Sequence, residues 1–426
     1  MLIQDLYQLY LQYPSVQTDT RKLTKGNFFF ALKGPNFNAN GFALKALEAG
    51  AAYAVIDEVI DSDDERLILV EDVLATLQAL AKYHRQQYRI PFIAITGSNG
   101  KTTSKELIYA VLSSHFKTYT TQGNLNNHIG VPLTILSVKP DAEMAVIEMG
   151  ANHQKEIESY CKYTLPTHGV ITNCGKAHLE GFGGIEGVRK GKGELYDYLS
   201  ANDGTAFIYA DYDYLQTMSA AVKQIVKYGT TEGLVQGNII SNEPYLQVGI
   251  SAGLASIHSI QTQLVGDYNL PNILCAAVIG KYFSVPEEKI KSAIENYAPS
   301  NSRSQLLQLG TNTFILDAYN ANPTSMKAAI DNFAKLSATK KILMLGGMME
   351  LGTESIEEHK NLVKLIKQYP WHTVVLVGGD FAGIDHGFIF FPDSTAAQRW
   401  FQQQAFADTH FLIKGSRSMR MEKILE

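Results

Sequence analysis

The stretch Ile95-Thr96-Gly97-Ser98-Asn99-Gly100-Lys101-Thr102-Thr103 sets two glycines, a lysine and two hydroxyls in the order that a phosphate cradle needs. Glycines let backbone N–H groups turn toward phosphate oxygens, and a helix starting at the lysine adds the positive end of its dipole. Lys101 is placed to reach terminal phosphates, and the Thr102 hydroxyl to hold a magnesium ion. The spacing is shorter than the general pattern G-x-x-x-x-G-K-[ST], because position 95 is Ile and only Gly97 precedes Gly100 in the loop. An apolar run from Ile90 to Ile95 predicts the strand before it, and Ser104 to Phe116 predicts the helix after it. The plain alternative is an ordinary glycine turn in front of a helix.

A second chemical group follows. Met144 to Glu148 reads as a strand that ends in a carboxylate, followed by Met149-Gly150-Ala151-Asn152. A carboxylate at the C-terminal end of a strand beside a phosphate loop is well placed to hold magnesium.

These groups need a frame. Residues 1–85 read as a small α/β unit, with strands at Phe28–Leu32, Ala54–Ile56 and Leu67–Val70 and helices at Gly41–Ala49 and Val73–Tyr88. Residues 86–300 alternate strands and helices after the phosphate loop, with further strands at Gly169–Thr172 and Ala206–Ala210. From Leu234 to Leu264 the pattern turns strand-rich and predicts an antiparallel patch. Asn272–Phe283 reads as a helix, and Ser284-Val285-Pro286-Glu287 as a capping box opening another. Residues 301–426 restart the alternation. Strands are predicted at Phe314–Leu316, Ile342–Leu345, Val374–Val377, Phe388–Phe391 and Phe411–Ile413, and helices at Ser325–Leu336, Ile356–Gln368, Thr395–Phe401 and Met419–Leu425. The fold class is therefore α/β in three domains: a small N-terminal unit, a central phosphate-loop unit with a mostly parallel sheet plus an antiparallel patch, and a C-terminal dinucleotide-fold (Rossmann-like) unit.

The bulk numbers narrow the partners. The chain has 426 residues, 45% hydrophobic and 19% charged, with a net charge of −5. That balance does not favour a nucleic-acid partner. No apolar run reaches the ~18 residues that span a bilayer, and Met1–Tyr13 lacks the basic start of a signal peptide. The three cysteines form no C-x-x-C pair, which points to a reducing cytoplasm. A monomer is expected.

Several segments together resemble one family. Thr96–Thr102 looks like the short phosphate loop of the Mur ligases, ATP-dependent amide-forming enzymes of peptidoglycan synthesis. Gly123-Asn-Leu-Asn-Asn-His-Ile-Gly-Val-Pro132, Val146–His153, Asn173–Glu194, Asp317–Pro323, Leu345–Gly352 and Lys414–Ser418 resemble further family segments in the same order. The resemblance covers nearly the whole chain. Within the family, the last three and Ala151-Asn152-His153 are similar to the branch that joins D-alanyl-D-alanine to UDP-N-acetylmuramoyl-tripeptide.

The resemblance implies roles residue by residue. Gly97, Ser98, Asn99, Gly100, Lys101, Thr102 and Thr103 would surround ATP phosphates, and Asn269 and Asn272 would lie beside adenine, where amides offer a donor and an acceptor. Arg303 would reach phosphate from the domain junction and Asp317 the ribose hydroxyls. Thr102, Glu148, His178 and a carbamoylated Lys192 would hold Mg2+, with Lys101, His178 and Lys192 catalytic. Lys190 is the neighbouring lysine; spacing from His178 matches Lys192 to the family's modified residue. Asp19, Thr20 and Arg21 resemble the loop that contacts uridine, with Thr where relatives carry Ser. Asn38-Ala39-Asn40-Gly41 departs from the family's Asp-Gly-His at that place. Asn126 and Asn127, then Asn320, Asn322, Lys414, Ser416 and Arg417, complete the expected substrate side. Glu350 and His359 are further candidates.

Other functions fit parts of this pattern. The ligase adding the third amino acid is the nearest, but no Asp-Asn-Pro-Arg loop occurs in the C-terminal unit. A folylpolyglutamate-synthase-type ligase would lack the uridine-binding unit. A phosphate-loop switch or scaffold would have no use for the metal-site candidates Glu148, His178 and Lys192.

Overall fold

The computed structural model describes residues 2–300 and 302–426. The expected first residue of the third unit, 301, lies outside them. The structure is α/β with three main sheets.

The first sheet is parallel, with Val16–Gln17, Phe28–Phe30, Tyr53–Ile56 and Leu67–Leu69 side by side. Phe28, Phe29 and Phe30 are all buried, which is why this run reads as unbroken hydrophobicity rather than alternation. A short 3-10 helix (Ala39–Phe42) precedes the Ala43–Glu48 helix, so the predicted Gly41 start falls inside that turn.

The second sheet has nine strands. Its order is 259–261, 247–252, 235–241, 224–229, 205–209, 168–171, 92–96, 144–148, 118–120. The strand Phe92–Thr96 pairs in parallel with His168–Ile171 on one side and Met144–Glu148 on the other. Strands 235–241, 247–252 and 259–261 are antiparallel to one another, as the sequence pattern predicts. The third sheet has the order 305–309, 312–317, 410–414, 341–346, 373–377, 389–391. It is parallel except at the edge strand Gln305–Leu309, which the sequence pattern does not reveal.

Three expectations at element ends need correction. The helix after the phosphate loop starts at Lys101, three residues before Ser104. The capping box at Ser284–Glu287 does not form: Pro286 is the cap residue, and the Glu287 carboxylate accepts from Ser256 and pairs with Lys281 instead. The predicted final helix, Met419–Leu425, is two 3-10 turns, Arg417–Met419 and Met421–Leu425, broken at Arg420 by a φ of +49°.

The helix Val73–Gln86 joins the first sheet's unit to the second. It packs on the N-terminal helix Ile3–Gln12 and on the helices Gly130–Leu136 and Glu156–Thr164. Its last turn carries the joint. Arg85 is buried, donates to the carbonyls of Thr164 (2.9 Å), Leu165 (3.0 Å) and Tyr88 (2.8 Å), and lies 3.9 Å over the Phe92 ring. Next to it the His84 ring bridges the Tyr7 hydroxyl (3.1 Å) and the Val138 carbonyl (2.8 Å).

Removing one partner leaves buried carbonyls unpaired, which costs about 1–3 kcal/mol each. Arg85→Met is therefore expected to lower stability by about 2–4 kcal/mol, read as a lower thermal midpoint in differential scanning fluorimetry. A midpoint equal to the wild-type value would show that this guanidinium is not what fastens the two units.

Candidate active site

The nine-stranded sheet brings three strand ends to one place. Phe92–Thr96 runs into the loop Gly97–Gly100, and the helix Lys101–Ser113 starts immediately after. That helix leaves the N–H groups of its first turn without helical partners. Gly100 caps it with a φ of +78°. Gly97 has a φ of +148°, and a Cβ there would sit 1.9 Å from the Thr172 hydroxyl. Both positions therefore require glycine.

The neighbouring strand end holds the loop. Ser98 N–H donates to the Asn173 carbonyl (2.9 Å), and Asn99 N–H to the Asn173 side-chain oxygen (3.0 Å). The Asn173 amide and the Thr172 hydroxyl donate back to the Asn99 carbonyl, at 3.0 and 2.6 Å. Sequence reasoning did not single out Asn173. Its signal is an amide directly beyond an apolar strand, an ordinary pattern until the strand order is known. The Lys101 ammonium donates to the Gly97 carbonyl (2.7 Å) and the Ser98 carbonyl (3.3 Å). Burial lowers its pKa; Glu148 opposes the shift and Arg303 adds to it.

The other neighbouring strand ends in Glu148, only 1% exposed. Its Oε1 accepts from the Thr102 hydroxyl (3.2 Å) and the Asn126 amide (2.8 Å), and its N–H donates to Thr121 (2.9 Å). Its Oε2 is buried without a hydrogen-bond partner. A carboxylate oxygen in that state, beside a hydroxyl, fits a hard cation. Among the described residues no group of three or more His, Cys, Asp or Glu converges. The donor set is thus open rather than a closed cage, as suits a Mg2+ that completes its shell with phosphate oxygens and water.

Lys192 is 1% exposed on the helix Ile185–Ala201, its ammonium 5.2 Å from the Phe182 ring centre. Burial first, then the charge of Lys101, lowers its pKa to about 7. It lies behind the cavity wall rather than lining it. An amine with a substantial neutral fraction near pH 7 is chemically suited to carbamoylation.

A cavity of about 900 Å³ lies over these groups, and residues from the third sheet close its far side. Arg303 stacks on Tyr319 at 3.5 Å, and both line the cavity. The Asn322 amide donates to the Asn99 side-chain oxygen (2.7 Å), tying the two sheets together at the phosphate loop. Asn269, Asn272, Asn126, Asn127 and Asn320 also line it. Asn272 accepts from Ser104 (2.9 Å) and donates to Asn269 (2.9 Å), so the two amides orient each other and do not cap the following helix. Lys176, another residue the sequence reading passed over, reaches Glu358 at 2.5 Å.

Some expected site residues are engaged elsewhere. Lys414 lines the cavity but is 2% exposed, paired with Asp317 at 2.6 Å and donating to the Asn320 carbonyl at 3.1 Å. It and the half-buried Asp317 thus stand as an ion pair at adjacent strand ends. Ser416 is buried and braces the Met349 N–H and the Ala321 carbonyl. Arg417 lines the cavity and pairs with Glu422 at 3.2 Å. His359 is fully buried and accepts from the Met348 N–H, which is a packing role. Asp19, Thr20 and Arg21 lie outside the cavity, where Asp19 precedes the 3-10 turn Thr20–Lys22. The Asp19 carboxylate caps it and binds the Arg21 guanidinium at 2.8 Å, and this hydrogen bonding holds the Asp19 pKa down to about 2.

Comparison with known proteins bears on the whole chain. Residues 95–280 match the Mur ligase middle domain, and residues 302–417 match the Mur ligase, glutamate ligase domain. The chain is 36% identical to the UDP-N-acetylmuramoyl-tripeptide–D-alanyl-D-alanine ligase of Escherichia coli (strain K12), over 96% of this chain and 92% of that one. It is 33% identical to the ligase of the same name from Bacillus subtilis (strain 168), with the same shares covered. A crystal structure of MurF from Acinetobacter baumannii superposes with a TM-score of 0.87 at 30% identity, covering 98% of this chain and 97% of that one. MurF ligase from Thermotoga maritima in complex with ADP gives 0.86 at 25% identity, covering 97% of each chain. With that likeness along its full length, and a phosphate loop facing a second, mostly parallel sheet across one cavity, the chain belongs to the Mur ligase family.

Proposed function

We propose that this chain is an ATP-dependent ligase that joins D-alanyl-D-alanine to UDP-N-acetylmuramoyl-tripeptide in the cytoplasmic assembly of a peptidoglycan precursor. One observation supports it above the others: a single cavity holds the phosphate loop and the metal-ready Glu148, with Arg303 and Asn322 facing them from the third sheet. A switch protein has no need of a buried, half-paired carboxylate and a second lobe at the same cleft. Among the described residues no helix is long and apolar enough to cross a membrane.

The chemistry follows from charge. A carboxylate is a poor electrophile. Its oxygen attacks the γ-phosphorus of ATP, the bond to the β-bridging oxygen breaks, and ADP leaves with that electron pair. The resulting acyl-phosphate is then attacked at its carbonyl carbon by the incoming amine. The amine loses a proton, inorganic phosphate departs, and an amide remains. Two anions must meet in the first step, so cationic side chains carry the cost. Lys101, released from the Gly97 and Ser98 carbonyls, would meet the β/γ-phosphates, the loop N–H groups would hold the phosphate chain, and Arg303 would approach from the far side. Thr102 and Glu148 would hold one Mg2+, and His178 with a carbamoylated Lys192 a second; such ions would supply further positive charge. Asn269 and Asn272 flank the adenine and Asp317 the ribose, while Asn126, Asn127, Asn320, Lys414, Ser416 and Arg417 shape the acceptor and dipeptide side. Residues 1–85, with Asp19, Thr20 and Arg21, take the uridine end; residues 86–300 carry ATP; residues 301–426 carry the incoming dipeptide.

Three outcomes test this reading. Phosphate release should require both the UDP-sugar tripeptide and D-alanyl-D-alanine, and a single amino acid in place of the dipeptide should not support it. Release with diaminopimelate or lysine on a UDP-sugar dipeptide would assign the chain to the preceding step instead. Gly97→Ala should abolish ADP binding in calorimetry while the protein stays folded, because the added Cβ collides with Thr172. Lys192→Ala should release no phosphate. In protein stripped of carbon dioxide, bicarbonate should restore turnover; at a fixed concentration of dissolved carbon dioxide, it should do so faster as pH rises through about 7, where the free amine form takes over. Full activity in the alanine variant would remove Lys192 from the mechanism.

A further inference from the structure

His178 and Glu350 meet across the cleft in an unusual way. His178 stands just before the short helix Leu179–Phe182, and Glu350 follows the Lys341–Gly346 strand of the third sheet. Both are non-glycine residues with left-handed backbones, φ +53° and φ +62°. Such conformations cost of order 1–3 kcal/mol each and persist where surrounding contacts demand them. The demand here is mutual: the Glu350 Oε2 lies 2.5 Å from His178 Nδ1, and the Glu180 N–H points to the Glu350 carbonyl at 3.5 Å. Both side chains line the cavity. The approach lies off the ring N–H direction, so Nδ1 is buried without a hydrogen-bond partner in this arrangement; a carboxylate turned onto Nδ1–H would fix the proton there and leave Nε2 with its lone pair, the arrangement by which a carboxylate orients a metal-binding imidazole.

We propose that Glu350 is a positioning residue for His178, supplied from the opposite lobe, so that the imidazole acquires its cation-binding orientation only when the two lobes are docked. The inference rests on the reading of His178 as a cation ligand. It adds that the third sheet's lobe contributes to the metal site without touching the metal. The neighbouring interlobe pair Lys176–Glu358, also 2.5 Å, docks the same surfaces but makes no contact with the imidazole, and so serves as the internal comparison.

The experiment uses full-length protein with a non-hydrolysable ATP analogue and follows Mn2+ binding by the EPR signal of the free ion. Glu350 is 54% exposed at its side chain, so its variants should fold. Glu350→Ala should weaken the second Mn2+ on the order of ten- to a hundredfold, the usual effect of losing such a partner. Glu350→Gln, whose amide oxygen can still accept from Nδ1–H, should recover most of that loss. Glu358→Gln should bind Mn2+ as the wild type does. Wild-type Mn2+ affinity in Glu350→Ala, or an equal loss in Glu358→Gln, would overturn the positioning role. His178→Ala separates the two levels: if it loses the second ion while Glu350→Ala does not, only the positioning role fails. If it keeps the ion, the ligand assignment fails with it.

Discussion

A carboxylate enclosed by protein is costly unless charge or hydrogen bonds meet it, and Glu148 is enclosed with only one of its oxygens satisfied. Much of the site can be understood from that constraint. Thr102 and Asn126 are committed to Oε1, so Oε2 is left buried and unpartnered beside the phosphate loop. Lys101 does not neutralise it by contact, since its ammonium is turned onto the Gly97 and Ser98 carbonyls. The local field therefore wants a small hard cation next to the carboxylate and an anion next to the lysine. A magnesium–nucleotide pair meets both needs at once.

The sheet explains how these groups come within reach of each other. Parallel pairing sends the ends of Phe92–Thr96, Met144–Glu148 and His168–Ile171 to the same edge. Ile95 stands in register with Glu148 and with Val170, so the loop, the carboxylate and the Thr172–Asn173 brace emerge side by side. The third sheet repeats the device. Asp317 and Lys414 are register partners on adjacent parallel strands, and their side chains close into an ion pair at the strand ends, buried on the lysine side. Two such edges opposed across one cavity make a cleft whose walls are both rich in polar strand ends, as open α/β sheets provide.

What was legible in the sequence follows from range. The phosphate loop and the strand ending in Glu148 are contiguous patterns whose meaning lies within ten residues, and both stand where the pattern puts them. The departures arise where tertiary contacts overrule local preference. Glu287 had the spacing of a capping box, but Ser256 and Lys281 compete for its carboxylate. Gln305–Leu309 carries no strong alternation and becomes a strand because it can pair with Asn312–Asp317 at an edge. Lys414 and Ser416 match a family segment, yet their present bonds run to Asp317, Asn320, Ala321 and Met349. Sequence identifies such residues as site-forming; only the fold shows that they build the wall.

Polar bonds join the units of the second and third sheets: Asn99–Asn322, His178–Glu350 and Lys176–Glu358, with Asn242–Asn332 and Asp267–Lys335 besides. Hydrogen bonds of this kind exchange with water at a net difference of about 0.5–1.5 kcal/mol each, whereas burying one large apolar side chain contributes about 1.5–3 kcal/mol. A cleft that admits three substrates and releases three products benefits from the weaker, directional kind of contact, because its docking is specific in register yet inexpensive to undo. The joint at Arg85 has the opposite character. Its guanidinium is buried, bonded to three carbonyls and stacked on Phe92, and opening it would strand all of those groups. The two junctions of the chain thus differ in the physics of their contacts.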